Sequence, residues 1–466
     1  MTADPALPRP GTRALVHGLG RFGGGREATR FLHRRGCSVR VADASDSAEL
    51  REVAAAFGDT DIDWQLGRED LGLLDDVDLV VTSPAVPDHN PLLQEARRRG
   101  LPTTQECELF LAAYPGRVVG VTGTNGKSST STLLHRALQR AGVDALLGGN
   151  IGHSLLADEA DWRADQVAVL EMSSFQLERF APQRRVHGAV FTRIGSDHLD
   201  RHGTLQRYRE AKGRLARAAT AFVVHGADDP VATAYATDAE RRGYYGRDIT
   251  GPGSAGTARG YVQVRPGRDA ARPVVHRDAL HLLGDFQLEN VMAGSLAAAW
   301  LGADLGAVGF AMATAQPLPF RLQLLHVLDG VQMFDNAVST EVESTQQALA
   351  TLARTGQRVH WLGGGKSKDG DHGKVARAIA RHAASAHVFG AAAEPFADAM
   401  RDAIPTCSHA TLAAALASAM QHAQPGDAVL FSPAFASFDQ YPNFRARALE
   451  FHGLLRERRA ANAANG

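Results

Sequence analysis

Residues 118–132 read VVGVTGTNGKSSTST, an apolar run of β type that breaks into a glycine-rich turn and continues as a helix. Such a turn is a phosphate cradle. Gly123 and Gly126 let the backbone fold around Thr124 and Asn125 so that N–H groups point inward. The helix that begins near Lys127 adds its positive N-terminal end. Lys127 is then placed to neutralise the β- and γ-phosphates, and Ser128 or Ser129 offers a hydroxyl to Mg²⁺. The strict Walker pattern wants a glycine five positions before Gly126, where Val121 stands, so the loop is a tighter variant of that cradle.

Around this loop the chain has 466 residues, enough for two or three domains, each with its own core. A net charge of −1 gives no global field for nucleic acid or an anionic membrane, so neither is an expected partner. Cys37, Cys107 and Cys407 are far apart and form no CxxC, which suggests neither a disulfide framework nor a structural zinc site and fits a reducing cytosol. MTADPALPRPGTR has no apolar signal core, and no run of 18 apolar residues occurs, so a cytoplasmic protein is expected. Of the 50 basic residues only Lys127, Lys212, Lys366, Lys368 and Lys374 are lysines. A chain that otherwise uses arginine has kept lysine where an ε-amine or a compact charge is needed. Lys212 lies in LQRYREAKGRLARAA beside Arg207, Arg209, Arg214 and Arg217, where a merely solvated cation would also be arginine.

Upstream, RALVHGLG (13–20) runs into Gly18, Gly20 and Gly23, then a helical stretch, then the strand SVRVAD ending at Asp43, 20 residues beyond Gly23. A strand, a GxGxxG turn and a helix with an acid at that distance form a dinucleotide-binding pattern, with NAD as one reading. VDLVVTSPAV (77–86) places Ser83 and Pro84 at a strand's carboxyl end. Downstream, VAVLEM carries one carboxylate, Glu171, in an apolar run, where a buried acid needs a partner or a hard cation such as Mg²⁺. A strand at 188–194 leads to a loop with Asp197, His198 and Asp200, and residues 219–283 read as β-rich. VQMFDNAVSTEVEST, RVHWLGGGKSKDGD and AVLFSPAFASFDQYPNFRARALEF repeat the βα pattern, and the tail RERRAANAANG looks frayed. The expected fold is α/β in three domains: a Rossmann-like domain over 1–115, a central P-loop ATPase-like domain over 116–317 and a Rossmann-like domain over 318–466.

TGTNGKS, GGNIG, LEMSSFQLE, DHLDRHG, YREAK, LPFR, LGGGK and SPAFASFDQYPNF occur in this order over residues 13–451. In that order they resemble the Mur ligase family, ATP-dependent amino-acid-adding enzymes of peptidoglycan synthesis. The resemblance implies a UDP-substrate domain, in which the first helix N-terminus holds a UDP pyrophosphate rather than NAD, then an ATP domain and an amino-acid domain, with catalysis where they meet. It implies two Mg²⁺ ions held by Ser128, Glu171, His198 and a Lys212 carbamylated by CO₂. Asn290 is implied to contact adenine, Arg321 the ATP phosphates and Asp335 the nucleotide. For the UDP substrate it implies Gly20, Arg21, Phe22, Asp43, Ser83, Asn150, Ser173 and Gln176. For the amino acid it implies Ser339, Lys366 or Lys368, Ser437, Phe438 and Phe444.

Within the family, SSFQLE and SPAFASFDQYPNF point to members that join glutamate to UDP-N-acetylmuramoyl-L-alanine through an acyl phosphate, here expected as D-glutamate in a monomer. L-Glutamate is the alternative, and a nucleotide-binding protein without ligase activity is the competing class. Folylpolyglutamate synthases share the ATP loop but lack a domain like residues 13–115. Three positions depart from the family pattern. DNAVST stands for DSKATN, so Ala337 replaces a lysine and Ser339 a threonine; the lysines of LGGGKSKDG are shifted in register; and Arg193 stands where asparagine is common.

Overall fold

The computed structural model describes residues 7–20, 23–247, 251–367, 372–400 and 402–465. Arg21, Phe22 and Lys368, singled out above, lie outside them. The chain divides into two compact units, residues 1–279 with 289–314 and residues 280–288 with 315–466.

The first unit opens with a parallel sheet of β1 (Arg13–His17), β2 (Ser38–Asp43), β3 (Asp63–Leu66), β4 (Leu79–Thr82) and β5 (Thr103–Thr104). Their spatial order is β3-β2-β1-β4-β5. The order reverses between β1 and β4, and the crevice at the carboxyl ends there is where such sheets bind ligands. The helix Gly24–Arg34 buries Ala28, Phe31 and Leu32 on this sheet. Gly25 allows that approach, since a Cβ there would lie 2.5 Å from the Leu19 carbonyl oxygen.

The same unit contains a nine-stranded sheet of β6 (Arg117–Thr122), β7 (Ala145–Gly149), β8 (Val167–Glu171), β9 (Val186–Phe191), β10 (Ala219–Gly226), β11 (Arg241–Tyr245), β12 (Ser254–Ala258), β13 (Tyr261–Arg265) and β14 (Arg272–His276). Its order is β14-β13-β12-β11-β10-β9-β6-β8-β7. Strand β6 is flanked in parallel by β8 and β9, with Val121 opposite both Glu171 and Val190. Central parallel strands are covered on both faces, which is why VVGV and VAVL read as continuous apolar runs. The β-rich stretch after 219 extends this sheet, closing it with the antiparallel β12-β13-β14.

The second unit holds β15 (Gln323–Leu328), β16 (Val331–Asp335), β17 (Val359–Gly364), β18 (Ser385–Phe389), β19 (Thr406–His409) and β20 (Ala428–Phe431). They are ordered β15-β16-β20-β17-β18-β19, parallel except for the β15-β16 pair. Trp361, Phe396, Leu349 and Leu430 are among the buried side chains of its core. The final helix, Phe444–Asn465, runs through the tail expected to fray. Its RERRAANAAN segment consists mainly of strong helix formers, which outweighs its place near the terminus.

Candidate active site

The phosphate loop leaves β6 at Thr122 and ends where the helix Lys127–Arg140 begins. Both expected glycines sit at positive φ, Gly123 at 155° and Gly126 at 87°. A Cβ at Gly123 would overlap the Thr192 hydroxyl, and one at Gly126 would lie 2.5 Å from Asn290 Oδ1. Only glycine fits this turn. Its surroundings hold it in place: the Thr192 hydroxyl donates to the Asn125 carbonyl at 2.5 Å, and Thr124 N–H donates to Arg193 O at 2.9 Å. Thr124 Oγ1 accepts from Gly195 N–H and shares a hydrogen bond with the Tyr208 hydroxyl, each at 2.8 Å. The position at 193 thus serves the loop through its backbone. Lys127 Nζ donates to the carbonyls of Gly123 (3.1 Å) and Thr124 (2.8 Å), poised over the cradle. Ser128 is half-buried and Ser129 buried. Asn290 Oδ1 accepts from the Thr130 hydroxyl at 3.1 Å, which fixes the asparagine against the first turn of the helix.

Two ionisable groups meet this loop from neighbouring elements. Glu171, at the carboxyl end of β8, is 2% exposed. Its Oε1 accepts from Asn150 Nδ2 at 2.9 Å, while its Oε2 is buried without a hydrogen-bond partner. An acidic oxygen left so is costly unless a cation takes it, and a carboxylate oxygen is the kind of hard donor that a divalent ion such as Mg²⁺ takes. Lys212 comes from the helix Leu205–Ala218 and is 1% exposed. Its Nζ donates to Gly123 O at 2.8 Å, lies 3.5 Å from Thr122 Oγ1, and stands 4.6 Å from the centre of the Tyr208 ring. Burial, reinforced by the positive charge of Lys127, holds this amine well below the usual lysine range, although Asp197 and Glu171 pull the other way. The lysine set apart by its arginine neighbours is thus buried at the loop.

His198 takes a left-handed conformation (φ 53°) at the start of a short helix, Leu199–His202. Its ring packs on Phe175 with centroids 4.9 Å apart, and its Nε2 lies 3.2 Å from Asp197 Oδ2. Ser173 and Gln176 cap the helix Ser174–Glu178 reciprocally, an arrangement legible in their S-x-x-Q spacing.

At the first sheet, Gly18 and Gly20 have positive φ, and a Cβ on Gly20 would lie 3.3 Å from Ser83 Oγ. Ser83 therefore lines the glycine turn. Asp43 accepts Leu19 N–H at 2.9 Å on one oxygen and Ser45 N–H at 3.0 Å on the other, so its carboxylate is engaged in holding that turn.

In the second unit, Arg321 lies between two residues of positive φ, Phe320 (66°) and Leu322 (50°). Strain of this kind is kept where a side chain must be aimed. Asp335 is fully buried; its Oδ1 accepts Ala337 N–H at 2.8 Å and its Oδ2 meets His452 Nε2 at 2.6 Å. His452 was not singled out from the sequence because its partner lies 117 positions away. The Ser339 hydroxyl pairs with Thr345 Oγ1 at 2.9 Å. Lys366 and Ala436 exchange both backbone hydrogen bonds, which sets Lys366 beside buried Ser437, with Phe438 65% exposed. Phe444 packs edge-on against Phe320 at 6.1 Å. Arg447, also unread in the sequence, is fully buried and donates to the carbonyls of Gly364, Phe435 and Ala436. It thereby ties the glycine-rich turn after β17 to the loop that carries Ser437.

A glycine-rich loop at a helix N-terminus, a buried carboxylate with a free oxygen and a buried low-pKa lysine define a nucleotide phosphate site of the metal-assisted class. Comparison with known proteins then identifies the lineage. The Mur ligase MurD-like N-terminal domain matches residues 12–105, the Mur ligase middle domain residues 121–298, and the Mur ligase glutamate ligase domain residues 320–435. The chain belongs to the Mur ligase family. The UDP-N-acetylmuramoylalanine–D-glutamate ligase of Solibacter usitatus is 35% identical over 96% of this chain and 98% of its own length. That of Acidobacterium capsulatum is 33% identical over 97% and 98%. Among solved structures, UDP-N-acetylmuramate–alanine ligase MurC from Thermotoga maritima shares the fold with a TM-score of 0.62 at 18% identity, covering 96% of this chain and 99% of that one. MurF ligase from Thermotoga maritima in complex with ADP has a TM-score of 0.59 at 18% identity, covering 97% and 96%. No helix among the described residues is long and apolar enough to cross a membrane.

Proposed function

We propose that the chain is an ATP-dependent ligase that joins D-glutamate to UDP-N-acetylmuramoyl-L-alanine in peptidoglycan precursor synthesis, as a cytoplasmic monomer with domains near 1–115, 116–317 and 318–466. The observation that carries the reading is the meeting of Lys127 and Lys212 at one glycine loop, with the buried carboxylate of Glu171 near enough to act on Lys212, in a chain similar along its length to ligases of that name.

In this reading the γ-phosphoryl group of ATP passes to a carboxylate oxygen of the alanyl group, breaking the bond to the β–γ bridging oxygen and releasing ADP. The glutamate amine then attacks the acyl carbon, phosphate departs with the electron pair, and the amine loses a proton. Chemistry of this kind rests on positioning and charge neutralisation. The Gly123–Ser129 backbone and Lys127 hold the phosphates, Asn290 the adenine side, and Arg321 and Asp335 act on the nucleotide from the C-terminal domain. Gly20, Arg21, Phe22, Asp43, Ser83, Asn150, Ser173 and Gln176 serve the UDP substrate, Asp43 from a carboxylate that also holds the glycine turn. Ser339, Lys366 or Lys368, Ser437, Phe438 and Phe444 receive the amino acid.

Mg²⁺, when bound, supplies positive charge to the transferring phosphoryl group, and Ser128 or Ser129, Glu171, His198 and Lys212 are the groups to hold two ions. Lys212 serves as a carbamate: its neutral amine adds to the carbon of CO₂ and releases one proton, which turns a buried donor into an acidic oxygen ligand. Low amine basicity in the folded state, caused by burial, supports this role.

The decisive experiment omits one component at a time. Phosphate release should require both UDP-N-acetylmuramoyl-L-alanine and glutamate, and release independent of either would leave only a nucleotide hydrolase. Mass analysis with each enantiomer tests the amino acid. D-Glutamate should give product; product from L-glutamate alone would assign the altered DNAVST wall to the opposite stereochemistry.

A further inference from the structure

At the far edge of the second unit's sheet, β18 and β19 pair in parallel so that His387 faces Cys407 and Phe389 faces His409. A ring nitrogen of His387, the Cys407 sulfur and a ring nitrogen of His409 all lie within 4.8 Å of one another. His387 and His409 are nearly parallel at 17° with centroids 6.3 Å apart. His409 Nε2 is buried and has no hydrogen-bond partner. The helix Leu412–His422 adds a fourth group, with the His422 ring 5.0 Å from that of His387. His422 Nδ1 donates to Ser418 O at 2.9 Å, which leaves the lone pair on its Nε2.

The tautomer of His387 follows from a chain of hydrogen bonds. Asp427 Oδ2 accepts from His360 Nε2 at 3.0 Å, so His360 Nδ1 accepts from the Ser385 hydroxyl at 2.7 Å. Ser385 Oγ then accepts from His387 Nε2 at 2.9 Å. The lone pair of His387 is thereby fixed on Nδ1, where the Ser418 hydroxyl now donates to it at 3.0 Å. A carboxylate reached through hydrogen-bonded side chains behind an imidazole is the arrangement that orients a metal ligand and raises its basicity.

We propose that His387, Cys407 and His409 supply three ligands of a binding site for a borderline-soft divalent ion of the zinc type, with His422 beside them or a water completing the tetrahedron, separate from the magnesium chemistry of the phosphate loop. Imidazole and thiolate are the ligands such ions select, and hard cations are poorly served by them. Binding deprotonates Cys407, releases its proton to solvent and displaces the Ser418 hydroxyl from His387. The role is structural. His409 adjoins Ala410, whose carbonyl accepts Gln440 Nε2 at 2.8 Å, and Ala391 N–H donates to Asp439 Oδ2 at 2.9 Å. Both bonds anchor the loop that carries Ser437 and Phe438, so an ion here stiffens the support of that loop.

The test uses Co²⁺ as the probe on the full-length chain after dialysis against chelator. One tetrahedral site should give an intense visible spectrum with a thiolate-to-metal charge-transfer band, abolished by added Zn²⁺. Co²⁺ at an oxygen site is octahedral and absorbs weakly, so the two sites are distinguished. Cys407→Ser should remove the charge-transfer band. His409→Gln should weaken binding, and both substitutions sit at partly exposed positions of an edge strand. Zn²⁺ should raise the melting temperature of the parent chain and not that of Cys407→Ser. A parent chain without the tetrahedral spectrum overturns the site. So does a spectrum that survives in both variants, because the ligands then lie elsewhere.

Discussion

Lys212→Met tests the electrostatic state of the buried amine directly. Methionine keeps an unbranched side chain of similar length and removes the titrating group. In the unfolded chain Lys212 holds its proton up to about pH 10.4, whereas in the folded chain burial releases it well below that value. Between those limits unfolding takes up one proton, so the folded state gains about 1.4 kcal/mol for each unit of rising pH. The gain is complete above the unfolded value and is lost as the pH falls toward the folded one. The methionine variant lacks the term, while the other titrating groups cancel in the comparison. In CO₂-free buffer, at pH values between the folded and the unfolded pKa of this amine, the stability of the parent relative to Lys212→Met should therefore grow by about 1.4 kcal/mol per pH unit. A chain of several domains need not unfold in one step, so the readout is deuterium pulse labelling of the helix Leu205–Ala218 across a urea series. A stability difference that stays constant over this range would mean that Lys212 remains an ammonium in the folded protein, and an ammonium cannot add to CO₂.

Lys212→Ala should lose ligation and regain part of it with a small carboxylic acid such as acetate, measured as product by mass, whereas Lys212→Arg should stay inactive with or without the acid. Asn290→Ala removes the acceptor of the Thr130 hydroxyl and should raise the KM for ATP about fivefold, the equivalent of roughly 1 kcal/mol; an unchanged KM would detach Asn290 from nucleotide binding. Arg447→Met removes a donor from the carbonyls of Gly364, Phe435 and Ala436, the last of which keeps Lys366 N–H, and should lower the stability of the second unit by about 2 kcal/mol, while binding of the UDP substrate, measured by calorimetry, stays as in the parent.

The parts of this molecule that were legible in its sequence are those written in consecutive residues. A turn that only glycine can make, an apolar run carrying one acid and an S-x-x-Q helix start each announce themselves within a dozen positions. Lys212 was legible for a different reason: against a background of arginine, a lysine among four arginines on one helix needed an explanation, and burial against Gly123 O supplies it. Asp43 shows the limit of spacing arguments. Its distance from Gly23 fits a ribose-reading acid, yet both its oxygens accept backbone N–H groups of the turn and the segment after β2. Spacing locates a carboxylate without saying which donors reach it first.

The histidine–cysteine cluster lies beyond that limit altogether. Cys407 and His409 are two positions apart, but His387 joins them only through the parallel register of β18 and β19, and Asp427 reaches His387 through His360 and Ser385 on two strands. A search for CxxC excludes one way of building a zinc site, the one in which neighbouring residues supply the ligands. A sheet supplies another, since residues on one face of adjacent strands approach within about 5 Å whatever their separation in sequence. The relay from Asp427 gives the cluster its chemical direction. It fixes which nitrogen of His387 keeps the lone pair, and a buried imidazole with a fixed tautomer beside a thiol and a partnerless His409 nitrogen is already arranged as a ligand set.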